Sequence, residues 1–498
     1  MNLLPPAEIP EQLAPTQILN NPEQGLGILI REAGNMDLVD SLKNVVGPEN
    51  VATGYFERYV YRFGHCPTGD TIGGTPDVVV MPETVEQVCR IVDIANRNRT
   101  PLVPRGCGSS QYAGTAFEGG ITLDMSLMDK ILGINEDNMV VEAEGGCSVY
   151  KIMRELDLRN LRFPISPIYT SGPQIGSAVN TNITGYMICR TGRLGDMLLG
   201  LEVVLPSGEV VTLGSGAYTK GYGHYHRYTG GPDVMGLFVN SMGTLGVITK
   251  VAVRVLPKPQ EMFIGYSWPK EKINELTDCM YELQRYGVYD IYLMDEWGFR
   301  GAEERGFLSI PKDAYFIANI MEAAFTEEEL KIRERKVREI CKKHCGSDVS
   351  DMTNAMMGPP KWAAWDSGCS QEWGGRNVVP YWYNPVKAFP EIYDFWEKLV
   401  KKYGFWDERH YVGWYSWADR NAMDPYPIVK VYPDELEKVG DFWSELNIGL
   451  TNRGACQYAI GGTLPYQVVA DLGPTWELIK KVKNLLDPNH IMNPSAIL

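Results

Sequence analysis

The stretch "LVPRGCGSSQYAG", from Leu102 to Gly114, constrains the fold most tightly, because it places small residues directly after an apolar run. Upstream, "PDVVVMPETVEQV" predicts a strand at Val78–Val80, followed by a helix that begins after Thr84 with Gln87 in a capping box. A glycine-rich loop therefore follows a strand at the mouth of a sheet. Backbone N–H groups without Cβ obstruction can bind an anion, and glycine permits the close approach.

A fold of the Rossmann type would continue from such a loop into a long helix. Here "YAGTAFEGGITLDMSLM" runs instead through a second turn to a strand at Ile121–Asp124. For this motif alone, a tight structural loop is an equal alternative. Two further small-residue segments, "SGPQIGSAVNTNITG" and "GLFVNSMGTLGVITK", flank a predicted hairpin that turns at Pro206–Gly208. Three such segments together favour one extended, phosphate-bearing ligand.

Composition limits the classes of binding partner and the cellular compartment that we expect for this protein. A chain of 498 residues predicts two or three lobes. The net charge of −15, without a lysine or arginine stripe, argues against nucleic acid. The ten cysteines are scattered, which favours a reducing, cytoplasmic location, and no window of ~18 uncharged apolar residues predicts a membrane span. "CKKHCG", from Cys341 to Gly346, lacks a second ligand pair, so we expect a solvated helix end and no metal.

The order of these segments, closed by "LDPNHIMNP", resembles the FAD-linked oxidoreductases of the vanillyl-alcohol oxidase and p-cresol methylhydroxylase superfamily. The resemblance implies an α+β fold, in which a two-subdomain FAD-binding domain of the p-cresol methylhydroxylase type carries an inserted α+β cap for the substrate. The implied division is an N-terminal extension (1–55), the FAD-binding domain (56–258), the cap (259–450) and a C-terminal segment that completes the FAD-binding domain (451–498).

The same resemblance implies which residues hold FAD. The first loop would bind the pyrophosphate, the second would follow the ribityl and phosphate side, and the third would contact the adenosine end through its main chain. The first-loop residues are Arg105, Gly106, Cys107, Gly108, Ser109, Ser110 and Gln111. Those of the second and third segments are Gly176, Ser177, Asn180, Asn182, Gly243, Gly246 and Ile248.

Two branches of the superfamily compete for the substrate. "YTGGPDVMGLFVNSMG" and the aromatic "YWYNPVKAFPEIYDFW" resemble the 4-alkylphenol branch, which implies a small aromatic substrate, with Tyr112 and Arg453 near its phenolate. The catalytic carboxylate of that branch has no counterpart in "FPISPIYTSG". The alternative is a 2-hydroxy-acid dehydrogenase like those for glycolate and D-lactate, although the His-x-Gly-Asp-Gly-Asn and Glu-His-Gly segments of that branch are absent. A flavoprotein subunit that passes electrons to an iron–sulfur partner is a third reading.

We expect noncovalent FAD. Members of the superfamily that tether the flavin use a histidine or tyrosine on the cap strand, or a histidine in the first loop. The first loop of this chain has no histidine, and Pro380 stands at the expected cap position with Tyr381 beside it. We also expect a small-molecule substrate, while an electron-accepting protein partner and a homo-oligomer stay open.

Overall fold

Three β-sheets organise the computed structural model, which describes residues 37–62, 74–109, 118–167, 172–299, 310–357, 376–407, 409–410, 412–458, 464–494 and 496. The strands are β1 (Val51–Ala52), β2 (Val78–Val80), β3 (Leu102–Arg105), β4 (Ile121–Asp124), β5 (Ile131–Asn135), β6 (Val140–Glu144), β7 (Leu161–Arg162), β8 (Ser166–Pro167), β9 (Gly185–Tyr186), β10 (Leu198–Val204), β11 (Val210–Gly214), β12 (Val247–Arg254), β13 (Leu256–Pro257), β14 (Gln260–Trp268), β15 (Asp290–Asp295), β16 (Phe316–Ala324), β17 (Ser347–Asp348), β18 (Arg376–Val378), β19 (Trp382–Pro385), β20 (Tyr415–Asp419), β21 (Ala422–Pro425), β22 (Val429–Val431) and β23 (Cys456–Gln457).

The helices pack on these sheets. They are α1 (37–46), α2 (Tyr55–Tyr59), α3 (Val85–Asn98), α4 (Val149–Asp157), α5 (Ile175–Asn180), α6 (Ile188–Thr191), α7 (Leu194–Met197), α8 (Ile273–Tyr286), α9 (Glu327–Lys343), α10 (Ser350–Met357), α11 (Phe389–Lys402), α12 (Leu436–Thr451), α13 (Tyr466–Ala470) and α14 (Pro474–Leu486). No helix among the described residues is both long enough and apolar enough to cross a membrane.

The first sheet has the order β1-β2-β4-β3, and β2, β4 and β3 run parallel. Helix α3 begins where the sequence predicts, since the Thr84 side chain accepts a hydrogen bond from the Gln87 amide. Its apolar face is buried against the sheet at Val88, Ile91 and Val92. Because the carboxyl ends of parallel strands meet at one edge, the glycine-rich loop after β3 starts at the edge of this sheet.

The second sheet is antiparallel, with the order β11-β10-β12-β6-β5. The predicted hairpin is present, since Val204 pairs with Val210 across the turn. Helix α5 lies within the second small-residue segment and packs on the same sheet at Ile175, Ala178 and Val179. The second and third glycine-rich segments therefore lie on one sheet.

The third sheet has eight strands in the order β17-β14-β16-β15-β20-β21-β19-β23. Its core is aromatic, with Trp268, Trp382, Trp396 and Trp414 fully buried. The chain after residue 450 contributes to two sheets. Strand β23 pairs with β19 of the third sheet, whereas Met492 forms a parallel bridge to Leu102 of the first.

Candidate functional site

The first glycine-rich loop packs directly against the second. A Cβ on Gly106 would lie 2.7 Å from the Ser177 Oγ atom and 3.0 Å from the Gln174 Oε1 atom, which is tighter than ordinary contact. A Cβ on Gly172 would likewise lie 3.5 Å from the Cys107 Sγ atom. The absence of a side chain at Gly106 thus lets the first loop pack closely against the Ser177 and Gln174 side chains of the second, whereas a Cβ on Gly172 would make only ordinary contact.

Arg105 and Gly108 shape the first loop. The Arg105 side chain is buried, and its Nη1 atom donates a hydrogen bond of 3.0 Å to the carbonyl of Tyr61. Gly108 has a φ of +72°, and a Cβ there would collide with the Arg105 guanidinium. The loop therefore curls around a buried cation. Ser110, Gln111 and Tyr112 lie outside the described residues.

The second segment is held by main-chain contacts. The Gly176 amide donates to the Gly145 carbonyl at 2.7 Å, and a Cβ on Gly176 would lie 2.9 Å from that oxygen and 3.2 Å from the Ile248 carbonyl. Gly176 is therefore required by packing of backbone on backbone. The same contacts bring Gly176 and Ile248, which the sequence assigns to different segments, to one place.

The third segment turns tightly onto the second. Asn240, Met242 and Gly243 have φ values of 58°, 53° and 72°. The Ser241 Oγ atom donates to the Asn180 Oδ1 atom at 3.0 Å, and a Cβ on Gly243 would lie 3.4 Å from Pro104 of β3. Left-handed conformations at non-glycine residues cluster at functional sites, so this turn marks the point where all three segments converge.

The convergence fits a cofactor such as FAD. The Gln174 Oε1 atom is fully buried beside Gly106 and has no hydrogen-bond partner among the described residues. A buried acceptor without a donor is costly unless a ligand supplies one. FAD carries ribityl hydroxyls and a ring N–H that could do so.

A cluster of tyrosines lies beside the second loop; we call Tyr381, Tyr383, Tyr426 and Tyr458 the tyrosine cluster. The ring centroid of Tyr381 lies 4.6 Å from that of Tyr426 and 5.6 Å from that of Tyr458. The Tyr383 and Tyr458 rings lie 5.9 Å apart. The Tyr458 hydroxyl donates to the carbonyls of Thr181 and Asn182, so the cluster is attached to the second loop.

The Arg193 guanidinium lies against two rings of the tyrosine cluster. Its guanidinium carbon lies 4.6 Å from the Tyr383 centroid and 5.0 Å from the Tyr458 centroid. The Nε atom donates to Asp419 at 2.9 Å, and the Nη2 atom forms a salt bridge to Asp424. Burial by itself would lower the pKa of Arg193, but the Asp424 carboxylate and its neighbours raise it. Arg193 is therefore a permanent buried cation.

Only one of the two carboxylate oxygens of Asp424 accepts hydrogen bonds from the described residues. Its Oδ2 atom accepts from Arg193 and, at 2.6 Å, from the Thr184 hydroxyl. The Oδ1 atom is buried without a hydrogen-bond partner among the described residues. Burial raises the pKa of Asp424, while Arg193 opposes the shift. Asp424 of β21 thus brings a buried carboxylate to Thr184 of the second small-residue segment.

The Tyr383 hydroxyl is the other unengaged group. It makes no hydrogen bond to any described residue, although most of the ring is enclosed. Burial raises the pKa of Tyr383 and of Tyr458, so both phenols stay protonated at neutral pH. A protonated phenol can donate a hydrogen bond to an anionic oxygen.

Arg453, which the sequence analysis places near the substrate, lies elsewhere. Its guanidinium carbon is 3.9 Å from the Phe395 ring centroid, and its Nε atom is 3.7 Å from Glu391. Both partners belong to α11, and Arg453 is exposed. These contacts attach the end of α12 to α11 and do not bring Arg453 into the tyrosine cluster, whose arginine is Arg193. The catalytic role of Arg453 stays a prediction.

The described residues contain no group of three or more His, Cys, Asp or Glu side chains that could hold a metal ion. Cys341 is buried in α9, with its Sγ atom 3.7 Å from that of Cys279. The segment after it ends the helix, as the sequence predicts.

Comparison with known proteins identifies the family. A model of the FAD binding domain matches residues 76–214, and a model of the C-terminal domain of FAD linked oxidases matches residues 267–497. The chain belongs to the FAD-linked oxidoreductases. The predicted cofactor and the predicted enzyme class are therefore confirmed.

Two curated relatives and one solved structure refine the placement. The glycolate oxidase subunit GlcD of Bacillus subtilis is 32% identical over 45% of this chain and 46% of its own length. The mitochondrial D-lactate dehydrogenase [cytochrome] of Arabidopsis thaliana is 30% identical over 63% of this chain and 53% of its own. The chain thus matches about half the length of these relatives.

Substrate-bound p-cresol methylhydroxylase superposes with a TM-score of 0.77 at 19% identity, covering 92% of this chain and 95% of that one. This likeness confirms the predicted α+β fold of the p-cresol methylhydroxylase type.

The sequence analysis missed Arg193, Asp424, Tyr383 and Tyr458. Tyr383 lies in the aromatic segment "YWYNPVKAFPEIYDFW", and Tyr458 lies shortly after Arg453 in the chain. No local pattern separates them from core tyrosines, because their shared partner Arg193 lies far away in the chain.

Proposed function

We propose that this oxidoreductase removes a hydride from the alcohol carbon of a small 2-hydroxy acid, with FAD as the acceptor. The observation that carries the proposal is the placement of two unengaged polar groups, the Asp424 Oδ1 atom and the Tyr383 hydroxyl, around the buried cation Arg193. The names of the glycolate and D-lactate relatives favour this class over the aromatic one.

Asp424 is the proposed proton acceptor. Oxidation of an alcohol carbon releases the hydroxyl proton as the hydride leaves, and a positioned base accelerates that step. A carboxylate whose pKa is raised by burial is a stronger base than an ordinary one. FAD, when bound, supplies the hydride acceptor.

Tyr383 is the proposed contact for the substrate anion. Its phenol is protonated and has no hydrogen bond to a described residue, so it is free to donate to a carboxylate oxygen. The adjacent guanidinium of Arg193 adds a favourable field, which Asp419 and Asp424 partly neutralise. Phenol and guanidinium together would orient the hydroxyl of the substrate toward Asp424.

The proposal for cofactor contacts follows the loop geometry. The pyrophosphate would lie along Gly106–Ser109, the ribityl chain near Gln174 and Ser177, and the adenosine end near Gly243 and Ile248. The contacts that support this are the enforced approach of Gly106 to Ser177 and the tight turn at Gly243.

A second candidate is oxidation of an aryl alcohol or 4-alkylphenol. The tyrosine cluster favours it, because tilted and edge-on rings suit a flat aromatic substrate. The Trp417 ring extends the same surface, 5.8 Å from Tyr426.

The deciding experiment is anaerobic mixing of the holoprotein with two panels, 2-hydroxy acids (glycolate, D-lactate, D-2-hydroxyglutarate) and 4-alkylphenols. Rapid, saturable bleaching of the flavin by a member of the first panel is the expected result. Bleaching only by the second panel would replace the proposal with the aromatic candidate, and bleaching by neither would contradict both.

A further inference from the structure

Three polar side chains meet beside the first glycine-rich loop, at the carboxyl edge of the first sheet. Arg105 is the last residue of β3 and Asp124 is the last residue of β4, and the two are register partners across these parallel strands. Both side chains are buried. The third is Tyr61, which lies in a short 3-10 turn after α2. Ligands of parallel sheets bind at this edge, so the three side chains lie where the cofactor is expected.

Tyr61 contacts both of the charged groups. Its hydroxyl donates a hydrogen bond of 2.6 Å to the Asp124 Oδ2 atom. Its carbonyl accepts a hydrogen bond of 3.0 Å from the Arg105 Nη1 atom, and the guanidinium carbon of Arg105 lies 5.3 Å from the centroid of the Tyr61 ring. One residue therefore orients a carboxylate and a guanidinium group at the same edge of the sheet.

The second oxygen of Asp124 also accepts a hydrogen bond. The donor is the Ser126 amide, which lies 2.9 Å from the Oδ1 atom. Each carboxylate oxygen is thus bound by a group other than Arg105, although Arg105 and Asp124 are register partners. Hydrogen bonds to a carboxylate are charge-assisted and strong, so these two hold the Asp124 side chain in its orientation.

The Arg105 guanidinium lies against the first loop, because a Cβ on Gly108 would collide with its Nη2 atom. Burial lowers the pKa of Arg105 and the Asp124 charge opposes the shift, and the guanidinium stays charged at neutral pH. Burial raises the pKa of Tyr61, and the hydrogen bond to Asp124 raises it further. The loop therefore lies beside a permanent cation, and the nearby carboxylate is held by a phenol that stays protonated.

We propose that Tyr61 is a positioning residue for FAD. Its hydroxyl keeps the Asp124 carboxylate from pairing with Arg105, and its carbonyl keeps the guanidinium beside the first loop, where the positive charge attracts the pyrophosphate. A carboxylate that paired with Arg105 would compete with the pyrophosphate for the same cation. The inference rests on the proposed placement of the pyrophosphate along Gly106–Ser109, and it does not depend on the substrate class.

The alternative is that Tyr61 only packs the chain after α2 against the sheet. In that case the hydroxyl contributes to stability, and the charge of Asp124 does not affect the affinity for FAD. The two readings differ in whether removal of that charge compensates for removal of the hydroxyl.

The test is the dissociation constant of FAD, measured from the flavin fluorescence that appears when each holoprotein is diluted. Tyr61→Phe removes the hydroxyl and keeps the ring and the carbonyl. It should weaken FAD binding by ~10-fold, because Asp124 is then released to pair with Arg105. Asp124→Asn removes the competing charge and keeps an acceptor for the Ser126 amide, so it should bind FAD at least as tightly as the wild type. The double variant Tyr61→Phe/Asp124→Asn should regain the wild-type affinity to within ~2-fold.

Tyr55→Phe is the matched control, because Tyr55 is an exposed tyrosine of α2 and its loss should leave the affinity unchanged. Unchanged FAD affinity in Tyr61→Phe would overturn the proposal. So would an equal loss in Tyr61→Phe and in the double variant, or weaker binding by Asp124→Asn alone, a result that stands even if Tyr61→Phe fails to fold. Thermal unfolding at saturating FAD shows which variants are folded.

These measurements use no substrate, so they are independent of the proposed substrate class. Failure of the loop placement would appear separately, as full FAD occupancy in Gly108→Val. Loss of FAD from Gly108→Val together with unchanged affinity in Tyr61→Phe would overturn the role of Tyr61 alone.

Discussion

At the scale of single residues, Asp424 is the proposed base. One of its carboxylate oxygens accepts a hydrogen bond from Arg193, and the other has no hydrogen-bond partner among the described residues. We expect Asp424→Asn to slow anaerobic flavin reduction by ~10²–10⁴-fold, since a positioned base contributes that much. Asn retains the size of the side chain and an oxygen for Arg193. Stopped-flow reduction with the best substrate measures the effect.

Asp419→Asn is the control for this change. Asp419 also pairs with Arg193 but lies further toward solvent, and no described geometry gives it an unengaged buried oxygen. A comparable loss of rate in both variants would assign Asp424 to charge balance rather than to proton transfer.

A substitution at Tyr383 tests the proposed hydrogen bond from its hydroxyl to the substrate carboxylate. Tyr383→Phe removes the unengaged hydroxyl and leaves the ring over Arg193, so folding should be unaffected. Hydrogen bonds to charged groups are worth about 1.5–3 kcal/mol, which predicts an apparent substrate Kd at least about tenfold weaker. Titration of the oxidised holoprotein with a nonreactive 2-hydroxy-acid analogue measures it. Tyr403→Phe, on the hydroxyl that donates to Glu445, is the matched control and should not change Kd.

At the scale of elements, the first loop depends on a left-handed residue. Gly108 has a φ of +72°, which a β-branched residue adopts only with strain, and a Cβ there would meet the Arg105 guanidinium. We expect Gly108→Val to purify with much less FAD than Arg105→Lys, which keeps the buried charge. The ratio of flavin to protein absorbance gives the occupancy. Full occupancy in the valine variant would mean that the loop does not hold the pyrophosphate.

The elements show which local features the sequence predicts well. Helix α3, strand β4 and the β10–β11 hairpin are confirmed because capping, periodicity and turn residues act within a few positions. The glycines of the first and second loops have two different structural roles, which the sequence does not distinguish. Gly106 makes room between loops, whereas Gly176 is required by the carbonyls of Gly145 and Ile248.

At the scale of the whole molecule, buried carboxyls make stability depend on pH. Burial raises the pKa of Asp290 to about 8, against the hydrogen bonds that it accepts from backbone amides such as that of Met187. The native state thus keeps a proton that the unfolded chain loses near pH 4. Stability contributed by this proton is present at low pH and is lost as pH rises from about 4 to about 8.

Asp290→Asn should therefore flatten this dependence, by up to about 1.4 kcal/mol for each pH unit in that window. Thermal unfolding midpoints at pH 5 and pH 8 provide the measurement, and the variant should lose less between them than the wild type. Burial raises the pKa of Asp295 and Glu322 to about 7, so part of the slope should persist. An unchanged slope would contradict the assignment to Asp290.

Cofactor retention is also a property of the whole chain. We expect FAD to be noncovalent, because no histidine stands in the first loop and contacts along both loops would retain the cofactor without a bond. Acid precipitation should release the yellow colour into the supernatant. A pellet that stays yellow, and a band that fluoresces on a denaturing gel, would instead show a tether, with Tyr381 as the first residue to examine.

The sequence by itself determined the cofactor, the family and the α+β fold, because glycine-rich loops and strand patterns are encoded within short segments whose order is diagnostic. The proposed substrate site was visible only in the tertiary structure. Arg193 and Asp424 are separated by 231 positions, and they meet because β21 lies over the loop that follows α5. Arg453, favoured by its position in the sequence, packs instead on α11. A buried ion pair forms between residues whose surfaces face each other after folding. The periodicity of one chain segment does not show which other segment it will face.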